Sequence, residues 1–514
     1  MKILFIYTDV CTAIGYTAGI GSLSAFLKRE GHEVKLIHVS DELDYPLDLK
    51  RINKDIDAYK PGLICFSITT NQWYYSRSIG NSIKKTFNIP IIVGGHHPTS
   101  DPNNVLAEPW VDMLCQGEGE HTLLEVVIRI ENSRSMDGVP NLFHKKNGKV
   151  IKELMKEWEG DIDSLPFDDR DVFDYAKIVE TRGGWAEVIV TRGCPFACTY
   201  CFNKPLINQY KKDVNVDNKN KSFSVREFTN RRRSVDSTIR MLRELREKYS
   251  NITAFTFVDD IMAKDGDWFD EFAGRYKEEV GLPYACTSQP LFFNEKIAKQ
   301  LKKSGCKVVK MGIEVGNETI RKNVLKRNIS NECLLNVFKV ARDYGLKPMS
   351  FNMIGVPGES LDDLMETVRL NAIMKPYIVS ASTFFPYPGT ELYNKCLKNG
   401  MIDLVKLDEV DSYRSESVLK EEFLPAIEFK KFRVLFRWLL NASLENSSQS
   451  IYKKNIDELH SLSVSKWQDN IAEDVFLERD REIDLELRDK DISHYVGKKY
   501  INVLWGNEYA YDLS

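Results

Sequence analysis

The chain has 514 residues, of which 43% are hydrophobic and 28% charged, a globular composition that excludes disorder as its overall state. Lysine plus arginine number 71 and aspartate plus glutamate 75, so the net charge is −4 and no basic footprint points to nucleic acid. No run approaches the about 20 apolar residues that cross a bilayer, so no membrane span is expected.

Length alone predicts about three or four domains. In chain order, Lys2–Tyr7 reads as a buried first strand, without the longer apolar core and small-residue cleavage site of a signal peptide. A cytoplasmic protein is expected, with its ten cysteines reduced. A helix over Ile20–Arg29 follows, ended by Gly31-His32, then a strand at Glu33–Val39. Gly62–Ile68 is continuously apolar and reads as a strand buried on both faces. Trp73–Thr86 is helical, and Ile89–Val93 and Val111–Cys115 are strands, the last followed by a helix through Ile130. This alternation predicts a parallel sheet with helices on both faces, Rossmann-like or flavodoxin-like. Ligands of such sheets sit outside the carboxyl ends of the strands, where the turn Gly94-Gly95-His96-His97-Pro98 falls.

Lys145–Ile151 reads as a hairpin around Asn147-Gly148, and Asp161–Asp169 as a linker. A second series then predicts strands at Ala186–Thr191, Ala254–Val258, Tyr284–Thr287, Val308–Ile313, Lys347–Met353 and Ile378–Phe384. The helices between them are Ser234–Tyr249, Asn294–Ser304, Glu318–Val324, Asn331–Tyr344 and Leu361–Met374. Six such units make a partial (β/α)6 barrel, whose functional groups gather at the carboxyl ends of its strands. Residues 401–514 read as a mainly helical region, with an amphipathic helix over Ala426–Leu444. The organisation expected is 1–140, a connector at 141–185, the barrel at 186–400, and 401–514.

The chemistry concentrates in Thr191-Arg192-Gly193-Cys194-Pro195-Phe196-Ala197-Cys198-Thr199-Tyr200-Cys201, a C-x3-C-x2-C spacing just after an apolar strand. Three thiolates in one loop leave two readings. A zinc site needs a fourth, distant ligand. A [4Fe–4S] cluster keeps one iron without a protein ligand, open to a small chelating molecule. The stretch resembles the signature of radical S-adenosylmethionine (SAM) enzymes. By that resemblance Cys194, Cys198 and Cys201 ligate the cluster, SAM binds its open iron, and Tyr200 packs near the adenine. Phe257-Val258-Asp259-Asp260 stands where the family binds the SAM amino group, with Asp259 and Asp260 in place of the common Gly-Gly-Glu. Glu314, in Met311-Gly312-Ile313-Glu314-Val315-Gly316, is similar to a ribose or methionine contact. Gly355 and Pro357, in Gly355-Val356-Pro357-Gly358-Glu359, are similar to the segment beside the adenine. Phe384–Thr390 resembles the end of the sixth strand.

Residues 1–140 resemble the cobalamin-binding domain that precedes the barrel in one large radical SAM subgroup. The resemblance rests on Thr17–Leu23, Gly31–Val34, Ser67, Gly94–Thr99 and Gly117–Glu120, and implies cobalamin contacts at Gly19, Ser67, Gly94, Gly95, His96, Gly117 and Glu118. Cobalamin mutases carry Asp-x-His-x-x-Gly; here Asp9 is followed by Val10 and Cys11, so that cobalt-ligating histidine is absent. Of His96 and His97, one is expected to pack and the other to face solvent. Arg231-Arg232-Arg233 and Lys302-Lys303 read as solvated charge, and Cys286 and Cys306 as buried.

The reading these features imply is a cobalamin-dependent radical SAM enzyme with a [4Fe–4S] cluster, SAM and cobalamin. It would form a 5′-deoxyadenosyl radical and methylate an unactivated carbon, or a phosphinate phosphorus, of a small molecule via methylcobalamin. Relatives imply one alternative, ring formation, ring contraction or oxidation without methyl transfer; a more distant one, of a different class, is a non-catalytic corrinoid or metal sensor. The implied partners are a small-molecule substrate and an electron donor of the flavodoxin or ferredoxin type.

Overall fold

The computed structural model describes residues 1–10, 12, 14–217, 223–409, 416–497 and 508–511. Cys11 and part of the predicted C-terminal region lie outside them. The chain forms two compact units, the first from Met1–Thr253 with Pro386–Lys395, the second from Ala254–Phe385 and the C-terminal residues.

The first unit is built on a seven-stranded sheet. Its strands are β1 (Lys2–Thr8), β2 (Glu33–Val39), β3 (Leu63–Ser67), β4 (Ile91–Gly94), β5 (Met113–Cys115), β6 (Leu142–Lys146) and β7 (Lys149–Lys152). They lie in the order β2-β1-β3-β4-β5-β6-β7. β1 to β5 are parallel, with Ile3 opposite Leu63 and Ser67 opposite Gly94. The predicted hairpin is present as β6 and β7, and it adds to this sheet antiparallel to β5. β3 is the apolar run expected: Leu63, Ile64, Cys65 and Phe66 are buried, and Ile64 and Phe66 pack in a core with Leu4, Ile6, Ile79 and Trp110. The order 2-1-3-4-5 reverses direction between β1 and β3, which opens a crevice at the carboxyl ends of those two strands. Helices Leu49–Tyr59 and Pro102–Ala107 were not legible in the sequence, and the Gly94–Pro98 turn runs directly into a short helix, His96–Ser100.

The unit continues through β8 (Trp185–Val188), β9 (Thr191–Arg192) and β10 (Arg231–Arg232). β9 and β10 pair antiparallel, Arg192 opposite Arg231. The cysteine loop follows β9 and leads into a helix at Asn203–Asp217.

The second unit carries β11 (Ala254–Phe257), β12 (Tyr284–Thr287), β13 (Cys306–Glu314), β14 (Lys347–Ile354) and β15 (Ile378–Thr383), all parallel and separated by helices. With β8 they make the six strands of the predicted β/α series. Four of these helices start where the sequence supplies a cap: Asn294, Asn317, Ser330 and Ser360 each accept a backbone N–H from the first turn. Ser360 and Asp363 form a full capping box.

Four helices close the chain: Ala426–Ala442, Gln449–His460, Val464–Gln468 and Ile471–Asp489. Leu435, Trp438, Tyr452, Trp467 and Leu487 form their core. Arg437 is buried there against Asp480 and Asp484. Two strands were not anticipated. β16 (Tyr495–Gly497) pairs with β17 (Glu508–Tyr511), and β17 extends the second sheet antiparallel to β15. Among the described residues no helix is long and apolar enough to cross a membrane.

Candidate functional site

The cysteine loop begins with a turn that only glycine can make. Gly193 has φ +94°, and a Cβ there would lie 2.7 Å from Thr229 Cα. Cys198 is buried, whereas Cys194 and Cys201 are partly exposed. The Cys201 N–H donates to the Cys198 carbonyl at 3.3 Å, and the Leu392 N–H closes the loop on the Thr199 carbonyl at 2.9 Å. Tyr200 is half-buried. None of the nine described cysteines is in a disulfide. Cys65, Cys115, Cys286, Cys306 and Cys396 are core residues, as read from the sequence for Cys286 and Cys306, and burial pushes the Cys115 thiol up to about 12. Among the described residues no group of three or more His, Cys, Asp or Glu is gathered to hold one metal ion. A four-iron cluster does not require that, because each thiolate binds a different iron. Three soft donors on one strand-end loop fit such a cluster.

At the β1/β3 crevice the predicted small residues meet. The empty Cβ position of Gly19 is 3.9 Å from Ser67 Oγ and 3.8 Å from Thr17 Oγ1, with nothing closer. Gly94 closes β4 level with Ser67. Gly95 has φ +96°, and its Cβ position falls 2.7 Å from the Ile68 nitrogen. Asp9 accepts from the Gly15 N–H at 2.8 Å and contacts His38 Nε2 at 2.9 Å. The carboxylate ahead of the absent histidine is thus engaged by β2.

The two histidines divide as expected. His97 is buried against Trp73, its ring nitrogens without a hydrogen-bond partner among the described residues. His96 is exposed and lies over Phe202, the residue after Cys201, with ring centroids 4.0 Å apart. Burial pushes the His97 imidazole down to about 4. Small residues at a switch point and a buried histidine with unmet hydrogen-bonding capacity fit a bulky corrinoid.

Glu118 and Gly117 have a different environment. Arg192, two residues before Cys194, binds Glu118 at 2.9 Å and Glu120 at 2.5 Å. Arg231 binds the other oxygen of Glu118 at 2.6 Å. Ser22 Oγ donates to Glu120 at 2.7 Å, and the Glu118 N–H donates to Tyr210 Oη at 3.1 Å. The position of a Cβ on Gly117 is also filled by the Tyr210 ring. The Glu118 carboxylate, predicted as a cobalamin contact, is therefore engaged within the protein. Burial raises the Glu120 carboxyl, but the Arg192 guanidinium outweighs it and holds the group below the usual carboxylate range. The reading of Arg231–Arg233 as solvated is corrected: Arg231 and Arg233 are buried. Arg233 donates to the Leu165 and Pro166 carbonyls, and Arg231 to the Glu159 carbonyl. The run pairs with β9 and lies under the linker, where its charges meet carbonyls and a carboxylate.

The second unit carries the residues likened to SAM contacts at its strand ends. Asp259 is buried, and its carbonyl accepts from Thr287 Oγ1 at 2.6 Å; Asp260 is exposed. Glu314 ends β13 in the left-handed region, φ +67°, beside Arg327 at 3.6 Å. A non-glycine residue in that region stores strain, and such residues cluster at functional sites. Pro357 is buried. Gly355 has φ +79°, and its Cβ position is 2.8 Å from Phe429, so the C-terminal helix already packs on that face.

Sequence reasoning missed Glu359. Its carboxyl is buried, one oxygen accepting from the Val356 N–H at 2.7 Å, and burial raises its pKa from 4.5 to about 8. The folded chain keeps a proton that the unfolded chain releases between those two values. Stability therefore falls as pH rises through that window, by roughly 1 kcal/mol per pH unit. Glu359→Gln is expected to remove the decline. Denaturation at pH 5 and pH 8 checks this, and an unaltered pH slope would refute it.

Comparison with known proteins follows this geometry. The family model described as "Radical SAM superfamily" matches residues 188–370, and that described as "B12 binding domain" matches residues 6–127, together more than half of the chain. The chain belongs to the cobalamin-binding radical SAM enzymes. Its cofactors are a [4Fe–4S] cluster, SAM and cobalamin.

Among curated members of this family, "Uncharacterized methyltransferase PH0819" of Pyrococcus horikoshii is 27% identical over 414 residues, 78% of this chain and 84% of the relative. "Cytidylyl-2-hydroxyethylphosphonate methyltransferase" of Streptomyces wedmorensis is 25% identical, covering 76% and 79%. "Anaerobic magnesium-protoporphyrin IX monomethyl ester cyclase" of Rubrivivax gelatinosus is 21% identical, covering 77% and 70%. Solved structures share the fold. TsrM from Kitasatospora setae with cobalamin and [4Fe-4S] cluster bound superposes with a TM-score of 0.61 at 16% identity, over 77% of this chain and 78% of that one. OxsB with aqua-cobalamin bound gives 0.65 at 15% identity, over 91% and 71%.

Proposed function

We propose that this cobalamin-dependent radical SAM enzyme transfers a methyl group from SAM to an unactivated carbon, or a phosphinate phosphorus, of a small molecule. The observation that carries the reading is the presence, in one compact unit, of the three-cysteine loop and a corrin-type switch-point crevice. The printed names of two relatives as methyltransferases support it. When bound, the cluster with SAM supplies a hydrogen-abstracting radical, and the corrin supplies a transferable methyl group.

The chain's own residues would position and shield these groups. Cys194, Cys198 and Cys201 would hold the cluster, and Tyr200 would pack beside the adenine. Asp259, Asp260, Glu314, Gly355 and Pro357 would line the SAM site, with the Gly355 and Pro357 backbone as the contact because the Gly355 face is packed by Phe429. Gly19, Ser67, Gly94, Gly95 and His96 would admit the corrin. Gly117 and Glu118 would act from behind that site. Residues 1–140, with the hairpin of β6 and β7 added to the same sheet, and 186–400 would be the corresponding domains, joined by the rest of 141–185. A reducing, cytoplasmic setting and a small redox protein as electron donor suit these cofactors.

Anaerobic incubation with deuterated-methyl SAM and extract of the native host tests the proposal. A product carrying the label is expected. Consumption of SAM with a changed but unlabelled product would favour oxidation or ring formation instead, the latter being the activity named for the cyclase relative. No 5′-deoxyadenosine at all would refute the enzyme reading.

A further inference from the structure

The loop that carries the cysteines is tied at both ends to one turn of the N-terminal sheet. On its upstream side, Arg192 reaches Glu118 and Glu120, which follow β5. Arg231, paired with Arg192 across the β9/β10 ribbon, reaches the same Glu118. On its downstream side, Tyr210, from the helix that leaves the loop, receives the Glu118 N–H and donates to the Glu157 carbonyl at 3.0 Å. Arg231 and Glu120 are buried, and Tyr210 is fully so. The turn is itself fixed, because the Gly117 N–H donates to Thr99 Oγ1 at 3.1 Å, just beyond Gly94–His97. Ser22, shortly after Gly19, joins Glu120. The same few side chains therefore touch the cysteine loop and the elements that border the β1/β3 crevice.

A surface salt bridge would hold such a loop weakly. In this set Arg192 and Glu118 are partly exposed but Glu120 and Arg231 are buried; one guanidinium spans two carboxylates and one carboxylate is shared by two guanidiniums, so displacement is resisted, because a lost partner leaves the buried Glu120 or Arg231 charge uncompensated. We propose that the Arg192–Glu118–Glu120–Arg231 clasp fixes the spacing between the cluster and the corrin, with Arg192 as its positioning residue. The proposal rests on the cofactor sites given under the proposed function and adds to them the element that sets their separation.

The test uses the full chain, reconstituted anaerobically with iron and sulfide and loaded with hydroxocobalamin. It is then reduced so that corrin and cluster each carry one unpaired electron. Electron paramagnetic resonance reads the interaction between the two spins, which depends steeply on their separation. In Arg192→Gln and Glu118→Gln, iron and corrin content are expected to match the parent while the resolved interaction is lost or broadened. Arg192→Lys, which keeps the charge without the two-pronged reach, is expected to restore it partly. Lys248→Ala, which breaks the exposed pair with Asp171, serves as control and should leave it unchanged.

An unchanged interaction in both Arg192→Gln and Glu118→Gln, at full cofactor content, would overturn the proposal. So would loss of a cofactor from both, which assigns the clasp to folding rather than spacing. A parent chain that takes up no corrin would overturn the proposed function, and this proposal with it.

Discussion

Cys198→Ala is expected to bind no cluster and to cleave no SAM. Iron after anaerobic reconstitution should fall from about four per chain to background, and 5′-deoxyadenosine should be absent. The effect is large because the loop provides three thiolates and the core cysteines cannot substitute. Cys65, Cys115, Cys286, Cys306 and Cys396 are buried in hydrophobic surroundings. Cys65, Cys115 and Cys306 are held as thiols by burial, which opposes the thiolate that iron requires. The fold should persist. Removing one buried sulfur costs on the order of 1 kcal/mol, and the loop remains pinned by Arg192, Tyr210 and the Leu392 contact to Thr199. Cys286→Ala is the matched control: a core cysteine is lost and iron content is retained. Parent-like iron and cleavage in Cys198→Ala would refute the ligand assignment.

Much of this architecture was legible because its signals are local. β3 declares itself by four consecutive apolar residues, and the helices that follow Asn294, Ser330 and Ser360 by caps that act within one turn. The cysteine loop is legible for the same reason, since its ligands lie within eight residues of one another. What was not legible depends on partners distant in sequence. The arginines of 231–233 look like surface charge until β10 pairs with β9 and brings Glu118 and Glu159 within reach. Gly117–Glu120 looks like a ligand loop until Arg192 is seen to engage both of its carboxylates, although one arginine just ahead of the cysteines and two glutamates on one turn are complementary in charge. Gly355 suggests an open approach for a ligand, and only the packing of Phe429 shows that its Cα face is covered. Glu359 carries no local mark of its raised pKa, because burial is a property of the whole fold.

Substitution at the switch-point crevice should abolish corrin uptake while leaving the cluster in place. Two variants attack the same site by different means. Gly95→Val places a side chain 2.7 Å from the Ile68 nitrogen and 2.8 Å from its carbonyl oxygen, at a φ of +96° that a β-branched residue strongly disfavours. Ile68 is fixed on both sides, its N–H donating to the Gly94 carbonyl at 2.8 Å and its carbonyl accepting from His97 at 3.0 Å. The turn must therefore move, carrying His96 and His97 with it, at a cost of about 1–3 kcal/mol for the backbone alone. Ser67→Leu involves no such strain. It projects a larger apolar group from the end of β3 toward the open position beside Gly19, filling the crevice rather than distorting it. Both variants are expected to lose corrinoid absorbance after loading with hydroxocobalamin and to retain parental iron. Loss in Gly95→Val alone would trace to the distorted turn. Loss in both, with the fold intact by circular dichroism, places the corrin at the β1/β3 crevice. Parent-like loading of Ser67→Leu would refute that placement, because a side chain of that size and a corrin cannot share the opening.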